Sequence, residues 1–166
     1  MDELFCEVLV KKKAGLKEIL LKILPVLLGI LLVIGGLFIM PVLMLAGIVV
    51  LGLCFWLVPR QNIEYEYSYV NGTMDVDAIY GKRSRKHLGT YDLRQMEIMA
   101  QADSPALRSY EGRKLQVLDY SSGEEKDRPM VYAVILPGEG SSVKLLFQPN
   151  EAIKKDLRIR ARQKFV

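Results

Sequence analysis

Charge is missing from one long stretch of this 166-residue chain: Ile23 to Val58 contains no Asp, Glu, Lys, Arg or His. That absence excludes a solvated helix and removes the usual marker of an ion path or proton relay through a membrane segment. Histidine is nearly absent too. His87 is the sole one, so a histidine-based zinc site, or a base oriented by a second histidine, has no ligand set to draw on. Cysteine is limited to Cys6 and Cys54, which fall in segments of different character and are expected to stay reduced. The apolar run is about twice too long for the core of a cleaved signal peptide and has no clear small-residue cleavage site.

What remains points to a membrane. A single straight helix over Ile23 to Val58 would extend about 54 Å, well beyond a hydrocarbon core of about 30 Å. The run is therefore expected to cross twice, as a helical hairpin divided at Met40 and Pro41, with spans over Ile19–Ile39 and Val42–Val58. Lys11, Lys12, Lys13, Lys17 and Lys22 precede it and Arg60 follows it, whereas the turn around Met40 is uncharged. By the positive-inside rule this predicts a multi-pass protein of the cell membrane with both termini cytoplasmic. Phe55 and Trp56 suit the interface at the second exit. Gly29, Gly35, Gly36, Gly47 and Gly52 would let the two helices approach closely, without forming the four-residue glycine dimer motif. Residues 1–18 are expected to be a separate N-terminal segment. Leu4, Phe5, Val8 and Leu9 at helical spacing predict a short interfacial helix there.

From Ile63 the pattern changes to period two. Ile63, Tyr65, Tyr67 and Tyr69 alternate with Glu64, Glu66 and Ser68, Asn71-Gly72 supplies a type I′ hairpin turn, and Thr73 to Tyr80 resumes the alternation. The register this implies puts Tyr65, Tyr67, Tyr69, Met74, Val76 and Ala78 on one side, and Glu66, Asp75 and Asp77 on the other. Lys82, Arg83, Arg85 and Lys86 come next and are placed to neutralise that acidic face. Further strands are expected over 86–100, broken near Arg94, and over Leu115–Tyr120, Met130–Leu136 and Val143–Phe147, with a helical turn through Arg108. Asn150 reads as the N-cap of a closing amphipathic helix whose Ile153, Leu157, Ala161 and Phe165 recur every four residues.

Two adjacent spans, about seven antiparallel strands with tight turns and one C-terminal helix resemble the bacterial membrane proteins that carry a pleckstrin-homology-like (PH-like) domain. The order of elements through Ile63–Tyr80, and from Val143 through Pro149, Asn150 and Glu151 into the helix, carries that resemblance. It implies a membrane α-helical hairpin, residues 19–59, followed by a mainly-β PH-like roll or barrel over 60–166. It carries over no functional residue. Eukaryotic domains of this fold often bind phosphoinositides through basic residues near the first hairpin; here that tip is Asn71-Gly72 and the basic cluster falls one turn later.

No catalytic, metal or cofactor signature stands out. Asp75, Asp77 and Glu66 offer too few oxygens for a hard cation and read as a solvated, neutralised face. Gly138 to Ser142 lacks the lysine and helix of a phosphate loop and reads as a turn, and the Asn71-Gly72-Thr73 sequon is explained by the hairpin. The basic residues have no aromatic interleaving of the kind that binds single strands, so nucleic acid is not expected as a partner. The sequence thus predicts a non-enzymatic integral membrane protein. Its cytoplasmic domain would use Lys82, Arg83, Arg85 and Lys86 on anionic lipid headgroups, or meet a protein partner or a second copy of the chain. The alternative is an accessory subunit of a larger membrane complex, recognised through its hairpin.

Overall fold

The computed structural model describes residues 4–58, 62–138 and 140–166. Its elements are β1 (Phe5–Lys11), α1 (Leu16–Phe38), α2 (Pro41–Leu57), β2 (Ile63–Val70), β3 (Thr73–Tyr80), β4 (Ser84–Asp92), β5 (Ile98–Gln101), α3 (Arg108–Glu111), β6 (Gln116–Asp119), β7 (Tyr132–Leu136), β8 (Val143–Phe147) and α4 (Glu151–Arg160). Packing divides them into two compact units: a β-rich one, and one formed by residues 13–63 with 80–84.

The β-rich unit holds two four-stranded sheets, ordered β1-β2-β3-β4 and β5-β7-β8-β6. The expected hairpin of β2 and β3 is present. Asn71 (φ 49°) and Gly72 (φ 95°) both adopt the left-handed backbone that a two-residue turn matched to strand twist requires. Gly72 is needed there for its φ and for space, since a Cβ would lie 2.6 Å from the Arg94 side chain. The apolar sides of both strands are inward: Tyr67, Tyr69, Met74 and Val76 are fully buried, with Phe147 and Leu145 of β8 and Ile153 and Leu157 of α4. Burying each such aliphatic side chain stabilises the fold by about 1.5–3 kcal/mol. Tyr67 sets its ring edge-on to Phe147 at 5.9 Å and donates its hydroxyl to the Tyr120 carbonyl. α4 starts at Asn150 as expected, where the side chain accepts from the Ile153 N–H at 2.9 Å. The tail beyond α4 then runs along β5: Met99 N–H donates to the Lys164 carbonyl at 2.7 Å and Val166 N–H to the Met99 carbonyl at 2.9 Å.

Three expectations need correction. Residues 5–11 are a strand, not an interfacial helix. Cys6, Val8 and Val10 are half-buried while Phe5, Glu7, Leu9 and Lys11 are exposed, and the strand pairs antiparallel with β2 from Phe5 opposite Val70 to Lys11 opposite Glu64. The apparent helical spacing was a coincidence of a short segment, and the domain boundary moves accordingly, because residues 4–12 belong with the sheets. Secondly, β1 brings the strands of the described residues to eight, where about seven were expected from residues 60–166 alone, which hold β2 to β8. Thirdly, they are not all antiparallel, since β6 runs parallel to β8, Gln116 opposite Val143. The break near Arg94 is real: Leu93–Gln95 form a 3-10 turn capped by Asp92, whose carboxylate accepts from Arg94 N–H at 3.1 Å and is held below the usual carboxylate range by the Arg94 guanidinium.

In the other unit α1 and α2 pack against each other, joined at Ile39 and Met40, with Pro41 at the first helical position where its missing N–H is harmless. Ile19–Phe38 is long and apolar enough to cross a membrane, whereas α2 is a shorter apolar helix of 17 residues. Arg60, expected at the second exit, lies outside the described residues. Glycine sets the helix contact. A Cβ at Gly36 would lie 2.2 Å from Met44 N, and one at Gly47 would lie 2.8 Å from the Gly29 carbonyl oxygen, whereas Gly35 faces open space.

Gly36→Ala should therefore destabilise the helix pair by about 1–3 kcal/mol through overpacking, whereas Gly35→Ala should be neutral or slightly stabilising. Thermal unfolding of both variants in detergent, followed by circular dichroism, checks the contrast. A second expectation concerns alkali. Burial raises the Tyr67, Tyr69 and Tyr120 phenols well above their usual value of 10.0. The folded state then holds phenol protons that the unfolded state releases, so stability is complete below pH ~10 and falls as the pH rises further. Ultraviolet titration of phenolate should show these groups ionising only together with loss of structure.

Candidate functional site

The outer face of the first sheet carries the acidic residues in the phase that the alternation requires, and β4 supplies their counterions. Arg85 donates to Glu66, and its second terminal nitrogen lies 3.5 Å from Asp77. His87 Nδ1 sits 2.8 Å from Asp77 Oδ1, while its Nε2 is 3.4 Å from the Thr90 hydroxyl. Thr90 in turn donates to Asp75. His87 and Thr90 are three residues apart yet address the same face, so the alternation of β4 slips by one residue at Leu88-Gly89, as at a β-bulge.

The chain Asp77, His87, Thr90 has the order of a catalytic triad, but its protons run the wrong way. Thr90 gives its hydroxyl proton to Asp75, so His87 has none to abstract, and the side chains of Arg85 and His87 are 57% exposed. Exposed ion pairs of this kind are worth about 0–1 kcal/mol each. Among the described residues, no three His, Cys, Asp or Glu side chains converge in a way that could hold a metal ion. The acidic residues Glu66, Asp75 and Asp77 are each engaged by a side chain of β4.

The four basic residues singled out by sequence are thereby separated. Arg85 is committed to Glu66 and Asp77. Lys86 is exposed on β4, and makes no ion pair among the described residues. Lys82 and Arg83 lie in the β3–β4 turn, exposed and equally without an ion pair among the described residues. Gly81 (φ 56°) and Lys82 (φ 58°) both take left-handed backbone there, uncommon for lysine. The Arg83 N–H closes the turn on the Tyr80 carbonyl at 3.1 Å.

One residue ties this turn to the helical hairpin, within the same compact unit. The Asn62 carbonyl accepts from Gly81 N–H at 2.8 Å, and its side-chain oxygen accepts from the Lys22 ammonium at 3.0 Å. Lys22 of α1 and the Lys82-Arg83 turn are thus gathered by Asn62, just past the end of α2. Nothing in the periodicity of the sequence announces Asn62; its role depends on a contact between segments 40 residues apart.

The tip of the first hairpin, by contrast, is spoken for. Asn71 Oδ1 accepts from Leu4 N–H at 3.1 Å and from Arg160 at 3.2 Å. Arg160 also donates to Asp156 at 2.7 Å, and Asp156 accepts the Tyr69 hydroxyl at 2.6 Å. This network locks β1, the hairpin and α4 together. The Pro137–Ser142 segment joins the antiparallel pair β7 and β8, as its reading as a turn rather than a phosphate loop requires.

Two sheets closed by a C-terminal helix are the architecture that a PH-like domain provides, and comparison with known families agrees. The family described as bacterial PH-like domain (DUF6106) matches residues 2–166. No curated protein and no solved structure matches the chain. With its whole length from residue 2 covered, including the apolar helices inserted between β1 and β2, the chain belongs to this bacterial PH-like domain family.

Proposed function

We propose that this chain is a non-enzymatic, two-span protein of the cell membrane whose PH-like domain is engaged with an anionic membrane surface through Lys22, Lys82 and Arg83. The observation that carries the reading is the Asn62 clamp, which bonds both the Lys22 ammonium of α1 and the backbone of the turn that carries Lys82 and Arg83. Cations at that depth meet phosphate headgroups, and each Lys or Arg near such a surface contributes about 1 kcal/mol. Arg85 drops out because Glu66 and Asp77 already hold it.

The pairing of β1 with β2 supports two crossings rather than one. Lys11 lies opposite Glu64, so the chain leaves the sheet and returns to it at one point, and an odd number of crossings would put paired strands on opposite sides. α2, about 26 Å long, is at the lower limit for a span. Lys11, Lys12 and Lys13 at the entrance, against the uncharged turn at Ile39 and Met40, favour the cytoplasm for the domain.

The test is hydrogen exchange of the full chain in nanodiscs of phosphatidylcholine alone or mixed with phosphatidylglycerol. Amides of residues 80–86 should exchange several-fold more slowly in the anionic discs at low salt, and K82E/R83E should abolish the difference. Equal exchange of the wild type in both discs would refute headgroup binding.

A further inference from the structure

The cations of α4 and of the turn that follows it are sorted between two sides. Lys154 is paired with Glu151 and lies 5.5 Å from the centre of the Tyr132 ring, while Arg160 is held by Asp156 and Asn71. Lys155, Arg158 and Arg162 instead are exposed and form no ion pair among the described residues. They surround Ile159, which is 66% exposed, and with Phe165 they line an open depression of ≈ 870 Å³. The Arg158 guanidinium stacks on the Phe165 ring at 4.6 Å. Stacking fixes the plane of the fork and leaves its edge N–H groups available to receive a carboxylate through two parallel hydrogen bonds.

An apolar centre within a rim of unpaired cations has the make-up of a protein interface that lacks its acidic half. We propose that this face of α4 is the docking site for an acidic, partly apolar segment of a partner protein. Its carboxylates would meet Lys155, Arg158 and Arg162, and an apolar side chain would cover Ile159 and Phe165. The concavity favours a side-chain-bearing segment over a flat bilayer. The proposal does not depend on the headgroup contacts of Lys22, Lys82 and Arg83.

Fluorescence anisotropy of the full chain in phosphatidylcholine nanodiscs tests it, with two labelled peptides as probes. One is a Glu- and Asp-rich peptide with a central Leu-Leu pair; the other is its Gln and Asn counterpart. The acidic peptide should bind at least about tenfold more tightly than the amide one, the equivalent of one charge-assisted contact, and should weaken steeply with salt. R158E/R162E should lose that preference, R158Q/R162Q should lose most of it, and I159A should weaken binding several-fold. K82E/R83E should bind as the wild type does. Unchanged thermal unfolding of these exposed-site variants establishes that folding is not the cause. Equal affinity for both peptides, or undiminished binding by R158E/R162E, would overturn the proposal. Displacement of the peptide by phosphatidylglycerol vesicles or polyuridylate at lower charge concentration would likewise overturn it, in favour of a lipid or nucleic-acid surface.

Discussion

The ladder between Phe5–Lys11 and Glu64–Val70 is the constraint on which the rest of the chain depends. It joins two strands that are separated in sequence by the whole apolar insert, and closing a flexible loop of that length would by itself cost about 3–4 kcal/mol. The insert is not flexible. α1 and α2 fold back on each other at Met40, with Gly36 and Gly47 removing the side chains that would hold the helices apart, so the returning chain already approaches its point of departure. One pairing therefore does two things: it completes the first sheet with β1 and it makes the apolar hairpin an insertion between two neighbouring strands of that sheet.

Charge is then distributed by what each side chain can reach. Glu66, Asp75 and Asp77 are engaged by Arg85, His87 and Thr90, and the hairpin tip by the network of Asn71, Arg160, Asp156 and Tyr69. Two groups of cations stand out among those left over in the described residues, one at the Asn62 contacts and one on and just after α4. An ion pair satisfied inside the protein stabilises little and recognises nothing, whereas an unpaired cation on a shaped surface keeps its attraction for a partner. That difference, rather than the number of basic residues, marks a surface able to recognise a partner.

Much of this was legible in the residues themselves. Asn71-Gly72 specified its turn chemically, the alternating tyrosines specified the buried face, Asn150 specified the start of α4, and the loss of alternation at Arg94 marked a real break. These signals are local, so neighbouring residues suffice to read them. β1 is not legible locally, because its partner lies more than 50 residues away and a seven-residue segment supports a helical and a strand period almost equally. The parallel pairing of β6 is equally non-local. At the site, sequence identified the basic cluster but could not divide Arg85 from Lys82 and Arg83, because that division depends on which carboxylates lie across a strand and on a slip in register at Leu88-Gly89. Asn62, a single polar residue between a helix and a strand, gave no signal at all.

Sidedness of the two paired strands is the measurement closest to the central claim. With Cys6 and Cys54 replaced, single cysteines at Glu7 and at Ser68, which face one another across the ladder, would be probed with a membrane-impermeant maleimide in intact and in permeabilised cells. The account predicts that both are unreactive in intact cells and that both react once the membrane is opened. Reaction of one site but not the other in intact cells would place β1 and β2 on opposite sides of the membrane and contradict it.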